Sequence, residues 1–195
     1  MTGSTGDEDL IWSDELLHSF RRSAFRLETR SAYALTYERA DFEQFLAGSP
    51  VPPPELGWWQ PWLEEIALLT SEGRTVSRVR VVDEPRTDYQ KWEMWAAPWH
   101  SRAGECIGYI TRTSARAIGL PLTHDWWLLD DERVVAMWFT ASGEISDREL
   151  ITEPDAVARF CIWRDLAVRN ATPAEEITAA QPKELPDLAT DEGMA

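Results

Sequence analysis

The chain has 195 residues, of which 44% are hydrophobic and 11% aromatic, a composition that suits one domain with a core of its own. No apolar run approaches the roughly 18 residues of a membrane span, which excludes transmembrane and mainly disordered classes of protein. The 19 basic and 34 acidic residues give a net charge of -15, which disfavours direct binding of nucleic acid or anionic lipid.

The N-terminal third of the chain predicts a helix, a strand and a second helix. Ser13 is a suitable helix cap, and residues 24–29 alternate apolar and polar side chains as a half-buried strand does. A helical apolar spacing follows from Glu38 and ends at Gly48. The proline-rich segment 50–54 then predicts a connector between a small N-terminal piece and the main body.

The middle of the chain predicts two helices that flank a strand. Residues 58–72 carry apolar side chains at helical spacing, and residues 75–82 are β-branched and alternating. Thr87 is a candidate cap for the next helix, which we expect to end before Pro98.

The following segment predicts three strands and a hairpin. Strands are expected over 106–111, 125–129 and 133–140, with a short helical turn near Ala115. The acidic residues 130–132 lie between two apolar runs and predict a hairpin turn. Because the two runs are apolar on both faces, we expect central strands covered by helices.

The chain is expected to close with a helix over 154–171, which has proline in its first turn. Segments 1–12 and 172–195 are acidic and poor in large apolar residues, so we predict that both are disordered; they hold about half of the net charge. The predicted fold is α+β with some α/β character, on one mixed sheet of about five or six strands flanked by helices. The predicted single domain spans 13–171, divided into 13–49, the connector 50–54 and the body 55–171.

Eleven tryptophans are the strongest binding signal in the sequence. Neighbouring tryptophans cannot both point inward on a one-sided element, so one member of each pair is expected to line a groove. A core role for most of them is the alternative interpretation. The predicted groove comprises Trp58, Trp59, Trp62, Trp92, Trp95, Trp99, Trp126 and Trp127.

Four polar residues lie within apolar segments and are expected to be paired. Arg80 can pair with Glu84 or Glu93, and with Tyr89 these residues form a candidate polar floor for a tryptophan-lined pocket. A purely structural ion pair is the alternative.

The segment from His124 to Asp131 matches the phospholipase D signature H-x-K-x4-D at its two ends, whereas Trp126 occupies the lysine position. Tryptophan cannot supply the positive charge that stabilises a phosphoryl transition state. We therefore expect a degenerate motif, His124 with Asp130 and Asp131, in a fold that resembles phospholipase D at most in shape. No catalytic residue is predicted.

Cofactors and metals are not expected. Cys106 and Cys161 have no neighbouring cysteine, and His18, His100 and His124 lack the spacing of a zinc site. The acidic N-terminus has no signal-peptide pattern, so a cytoplasmic location is predicted.

Several segments resemble an actinobacterial family of unknown function whose members are stand-alone cytoplasmic proteins, often encoded near helix-turn-helix regulators. The resemblance runs from about Leu16 to Ala167 and rests on RRSAFRLET (21–29), RVRVVDEP (78–85) with Tyr89 and Glu93, AGE (103–105) and DWWLLDD (125–131). It implies a regulatory or accessory role and carries over no catalytic residue.

Three functions are compatible with these observations. The first is a non-catalytic accessory protein that binds a protein partner, such as a DNA-binding regulator, through the tryptophan groove. The second is a small-molecule-binding protein or enzyme whose pocket would accept an aromatic, stacking ligand. A degenerate phospholipase-like hydrolase is the third, and exposed aromatic surface would also suit a homodimer.

Overall fold

The computed structural model of the chain describes residues 19–180, without the side chains of 178–180. Seven strands form one mixed sheet, with the order β6-β5-β4-β1-β2-β3-β7. The α+β class is confirmed, although the sheet has more strands than the expected five or six. The strands are β1 Ser23–Glu28, β2 Thr75–Val82, β3 Cys106–Thr111, β4 Asp125–Leu129, β5 Arg133–Phe139, β6 Ile145–Ile151 and β7 Thr172–Pro173.

Six α-helices and a short 3-10 helix, Pro53–Glu55, accompany the sheet in the described part of the chain. The α-helices are α1 Arg39–Leu46, α2 Gln60–Ser71, α3 Asp88–Ala103, α4 Arg112–Ala117, α5 Pro154–Asn170 and α6 Ala174–Ala180. No helix within residues 19–180 has the length and apolar character required to cross a bilayer.

Strand β1 lies where a parallel half of the sheet meets an antiparallel half. It pairs in parallel with β2, which pairs in parallel with β3, and the two crossovers contain α1 with α2 and then α3. On its other side β1 pairs antiparallel with β4, which begins the β4-β5-β6 meander. The carboxyl ends of β1, β2 and β3 therefore lie at one edge of the sheet, together with the amino end of β4.

Helices cover both faces of the sheet. On one face α5 packs Phe160 against Trp126 and Leu27, and on the other α2 packs Ile66 against Trp127. Successive strand residues point to opposite faces, so Trp126 and Trp127 are both completely buried. The prediction that one of them lines a groove is wrong, because the sheet is not one-sided.

The expected helix boundaries in the described residues hold to within two residues, except at the end of α3. Thr87 caps α3 through a capping box with Gln90, as its sequence position predicts. The helix does not end before Pro98 but continues to Ala103, with Pro98 in its interior. The predicted helix that begins at Ser13 lies largely outside the described residues.

Two segments at the sheet edges depart from the predictions. Strand β6 is exposed over most of its length and has little apolar alternation, so its pattern did not indicate a strand. Residues 172–180 were expected to be disordered, yet β7 pairs with β3 and α6 buries Ala174 beside Ile107. Contacts with the existing sheet offset the conformational entropy that the segment loses when it becomes ordered.

Candidate functional site

A cleft with a volume of about 520 Å³ lies at the carboxyl end of β1. Volumes of about 300–1,000 Å³ are typical of small-molecule sites. Its walls come from the loop after β1, from α4, from the approach to β4 and from the end of β5. The residues that characterise it are Arg30, Arg112, Arg116, Leu122, His124 and Phe139, and we call it the arginine cleft.

Topology explains the position of the arginine cleft. Open α/β sheets bind ligands beyond the carboxyl ends of parallel strands, at the point where the strand order reverses. In this sheet the chain leaves β1 toward β2 on one side, whereas β4 occupies the other side. The loops that follow β1 and precede β4 therefore diverge and leave space between them.

The arginine cleft is positively charged, whereas the chain as a whole is negatively charged. Three arginines and one histidine line it, and none of the twelve described lining residues is acidic. The protein as a whole carries a net charge of -15. A local excess of guanidinium groups in an acidic molecule attracts an anion.

Arg112 is held in place from two sides. Its Nε donates to Asp83 Oδ1 at 2.6 Å, and its Nη2 donates to the carbonyl oxygen of Thr29 at 2.9 Å. The bond from Arg112 lowers the pKa of Asp83 against a smaller opposing effect of burial. The Asp83 carboxylate therefore orients this guanidinium at the edge of the cleft, and none of the hydrogen bonds that Arg112 makes within the described residues uses Nη1.

Arg30 and Arg116 have no carboxylate partner within residues 19–180. Arg30 donates from Nε to the Ala32 carbonyl at 3.2 Å, and its guanidinium lies 5.4 Å from the centre of the Phe139 ring. Arg116 is exposed on α4. Both charges are therefore available to a ligand in the cleft.

His124 contributes a neutral ring to the cleft. Its ring stacks on Trp138, with centroids 5.0 Å apart and an interplanar angle of 26°. Burial lowers the pKa of His124 below its usual value, so the imidazole is uncharged at neutral pH. Thr123 Oγ1 lies 3.0 Å from Nδ1 and occupies that ring nitrogen.

The other two residues of the degenerate phospholipase motif lie at the opposite end of β4 from His124. Asp131 pairs with Arg164 of α5 at 2.8 Å. Asp130 accepts hydrogen bonds from the backbone N–H groups of Arg21 and Arg22, at 2.8 and 2.7 Å. The five residues of β4 separate these acids from His124 by about 17 Å, so the motif does not assemble a site.

The predicted polar floor is formed in part. Arg80 Nε lies 2.6 Å from Glu28 Oε2 and 3.3 Å from Glu93 Oε1, between the sheet and α3. Tyr89 is buried nearby and donates its hydroxyl to Glu38 Oε2 at 2.6 Å. Glu84 is exposed beyond the end of β2, so its predicted pairing with Arg80 is wrong.

Arg80 and Glu93 belong to a larger set of buried charges, which we call the buried ion network. Burial raises the pKa of Glu93 to about 8, since Arg80 is shared with Glu28. Burial also opposes ionisation of Glu28, but three arginines outweigh it and hold its pKa far below the usual range. The members of the network are Arg26, Glu28, Arg78, Arg80, Glu93 and Glu105.

Asp125 connects the buried ion network with the arginine cleft. Its Oδ1 accepts from both the backbone N–H and the hydroxyl of Thr29, each at 2.8 Å, and Thr29 lines the cleft. Its Oδ2 accepts from Tyr33 at 2.5 Å and lies 3.5 Å from Arg26. A rigid, hydrogen-bonded strand end therefore supports one wall of the cleft.

Six of the eight tryptophans of the predicted groove lie together, but Trp126 and Trp127 do not join them. Trp126 and Trp127 are buried on opposite faces of the sheet. The other six predicted residues lie between α1, α2 and α3 and form an aromatic layer, in which Trp59 and Trp92 are buried. The half-buried members of this layer are Trp58, Trp62, Trp95 and Trp99.

Metal ligands are not clustered in the part of the chain that the structure describes. No group of three or more His, Cys, Asp or Glu side chains within residues 19–180 is arranged to hold a metal ion. Cys106 is exposed and Cys161 half-buried, and both have free thiols.

Sequence reasoning missed the three arginines and Phe139 of the cleft. The one local signal is the pair Arg112 and Arg116, four residues apart on α4 and therefore on one helical face. Arg30 and Phe139 gave no comparable signal, because the sheet topology brings them together from distant positions.

The architecture defined above is that of a mixed α+β domain with a cationic cleft at the reversal of its strand order. A domain of unknown function, DUF6879, matches residues 13–179, and the chain belongs to this family. The match extends into α6, in keeping with the ordered structure of residues 172–180. No curated protein matches the chain.

Proposed function

We propose that this protein is a non-catalytic accessory protein that binds a small molecule in the arginine cleft. The observation that carries the proposal is the cleft itself, which has about 520 Å³ of space at the point of strand reversal. Side chains from four separate parts of the chain meet there, and hydrogen bonds to Asp83 and Asp125 hold its walls in place. Preorganised walls reduce the entropy that binding costs.

Binding is favoured over catalysis by the composition of the walls. In catalytic dyads and triads, a carboxylate or similar group commonly orients the histidine through one of its ring nitrogens. The described residues that line the cleft include no carboxylate beside His124, whose Nδ1 is occupied by Thr123. The arrangement therefore supports binding of a ligand. The described lining residues provide no acid-base pair for a reaction.

A tryptophan groove for a protein partner has less support. Trp59, Trp92, Trp126 and Trp127 are at most 7% exposed, so they offer no surface to a partner. Regulation of a partner by the liganded protein is compatible with the proposal, but the contact would use another surface.

The proposal is tested by narrowing the cleft. Ala141 is exposed and lines it, so Ala141→Phe adds a ring to the ligand space without altering the core. Ala67→Phe, on the exposed side of α2, is the matched control. Thermal melting is measured for the full chain and both variants against a library of phosphorylated and unphosphorylated metabolites.

At least one compound is expected to raise the melting temperature of the wild type and of Ala67→Phe but not that of Ala141→Phe. A library without effect on the wild type, or a ligand that stabilises all three proteins equally, would contradict binding in the cleft.

A further inference from the structure

We propose that the ligand of the arginine cleft is an organic phosphate, namely a phosphate monoester that carries a flat apolar group. This inference rests on the proposed function and names the chemical class that the cleft selects. It follows from the number of unneutralised guanidinium groups, from their separation on different walls and from an apolar surface beside them.

The first argument is charge. Arg30, Arg112 and Arg116 bring three positive charges into one cleft, and of these Arg112 alone has a carboxylate partner among the described residues. The two guanidinium charges of Arg30 and Arg116 are therefore not neutralised by a carboxylate among the described residues. A phosphate monoester carries about -1.5 to -2 at neutral pH and neutralises them, whereas a carboxylate supplies a single negative charge.

The second argument is geometry. The three guanidinium groups belong to the loop after β1 and to two residues one helical turn apart on α4. A phosphoryl group offers three oxygens in a tetrahedral arrangement and accepts hydrogen bonds from several directions at once. The planar carboxylate matches one guanidinium fork, so at least one of Arg30 and Arg116 would remain without an anionic partner.

Ser31 helps to hold one of these guanidinium groups in place. Its hydroxyl lines the cleft, donates to Asp83 and lies 3.4 Å from Arg112 Nη2. Because the single hydroxyl proton is engaged with Asp83, the donors that this part of the cleft offers to a ligand are its guanidinium groups.

The third argument is the apolar wall. Phe139, Leu122 and the neutral ring of His124 line the cleft beside the arginines. His124 is held flat against Trp138, and Phe139 is covered on one side by Arg30. A flat apolar group on the phosphate would pack against these side chains and release water from both surfaces.

Phenyl phosphate is the probe for this inference, with benzoate and inorganic phosphate as comparison ligands. Affinities of the full chain are measured by isothermal titration calorimetry at pH 7.5 and constant ionic strength. Arg116→Gln removes an exposed charge of the cleft that makes no side-chain bond within residues 19–180. Arg39→Gln on α1 is the control, since it removes the same charge from an exposed position elsewhere.

Phenyl phosphate is expected to bind at least tenfold more tightly than benzoate, and roughly tenfold more weakly to Arg116→Gln than to the wild type or Arg39→Gln. Inorganic phosphate is expected to bind more weakly than phenyl phosphate, because it lacks the apolar group.

Equal affinity for phenyl phosphate and benzoate, unchanged affinity of Arg116→Gln, or no binding of phenyl phosphate would overturn the assignment of an organic phosphate. Equal affinity for the two phosphates would identify free phosphate as the ligand and would equally contradict the inference. If a compound without phosphate still stabilises the wild type and not Ala141→Phe, the ligand class fails and the proposed function stands.

Discussion

Trp59 donates its indole N–H to Nε2 of His100 at 2.8 Å, deep between α2 and α3. The other ring nitrogen, Nδ1, lies 2.6 Å from Glu105 Oε2, so His100 carries its proton on Nδ1 and donates it to the carboxylate. Glu105 in turn accepts from Arg78 Nε. This chain of hydrogen bonds joins the aromatic layer to the buried ion network.

The bond from Trp59 is testable by Trp59→Phe. Phenylalanine fills most of the volume but leaves His100 Nε2 buried without a donor, so we expect the free energy of unfolding to fall by about 1–3 kcal/mol. Urea denaturation at pH 7.5 measures the change. Trp95→Phe is the control. Trp95 is half-buried, and its contacts with Phe45 and Trp99 are ring contacts rather than hydrogen bonds from the indole N–H. Equal losses for the two variants would show that ring size rather than the hydrogen bond matters.

Glu28 contacts three arginines of the buried ion network. Its oxygens lie 3.2 Å from Arg26, 3.1 Å from Arg78 and 2.6 Å from Arg80. Glu28→Gln removes the negative charge and leaves three buried guanidinium groups undercompensated. We expect a loss of about 3–5 kcal/mol in the free energy of unfolding.

Urea denaturation also measures this loss, with Glu132→Gln as the matched control. Glu132 pairs with Arg22 at 3.0 Å on the surface, where both side chains are about two-thirds exposed. Its removal is expected to cost less than about 1 kcal/mol. A loss of that small size for Glu28→Gln would mean that the buried arginines do not depend on its charge.

Glu38 makes stability depend on pH. Burial raises the pKa of its carboxyl group to about 7, although the hydrogen bond from Tyr89 acts in the opposite direction. Between the ordinary value of 4.5 and about 7 the folded protein binds more protons at this site than the unfolded chain. The contribution of Glu38 to the free energy of unfolding therefore decreases as pH rises through this window.

Glu38→Gln keeps an acceptor for Tyr89 and does not titrate. The free energy of unfolding of this variant relative to the wild type should therefore increase from pH 4.5 to 7 and become constant above pH 8. Glu43→Gln, an exposed substitution on α1, is the control. If the difference in the free energy of unfolding between Glu38→Gln and the wild type did not change with pH, the raised pKa of Glu38 would be contradicted.

Local patterns predicted most of the core elements, and the reasons are visible in particular residues. Strand β2 has its predicted bounds because its β-branched residues alternate, and α3 begins where Thr87 and Gln90 form a capping box. Strand β6 was not predicted because successive residues on both of its faces are exposed, so it shows no apolar alternation. Its order comes from pairing with β5, which is a tertiary effect.

The candidate site was less predictable because its parts are distant in the sequence. Arg112 bonds the carbonyl of Thr29 across 83 residues, and only the strand order brings them together. The tryptophan argument failed for Trp126 and Trp127 because it treated β4 as covered on one face, although its continuous apolar run predicts a central strand covered on both. The pairing of Arg80 with Glu93 could be predicted, because a charge embedded in apolar segments on both sides requires a partner.

Asp130 organises the start of β1 from the far end of β4. Its carboxylate accepts from the backbone N–H groups of Arg21, Arg22 and Ser23, at 2.8, 2.7 and 3.0 Å. Burial opposes ionisation, but these three bonds outweigh it and lower the pKa of Asp130 below its ordinary value of 3.8. The stabilisation is thus present above pH 3.8 and is lost as pH falls through the lower pKa of the folded state.

Asp130→Asn retains one acceptor oxygen and removes the charge, so we expect a loss of about 1–3 kcal/mol at pH 7. Asparagine also tolerates the positive φ of 56° at this position, which keeps backbone strain out of the comparison. Asp131→Asn, at a φ of 62°, is the matched control and loses only a surface bond to Arg164. Urea denaturation at pH 7 and pH 3 should show the gap between the two variants narrowing in acid, because pH 3 lies below the ordinary value of 3.8 and the stabilisation by the ionised carboxylate is then being lost. A gap that stays constant with pH would mean that Asp130 acts through its shape rather than its charge.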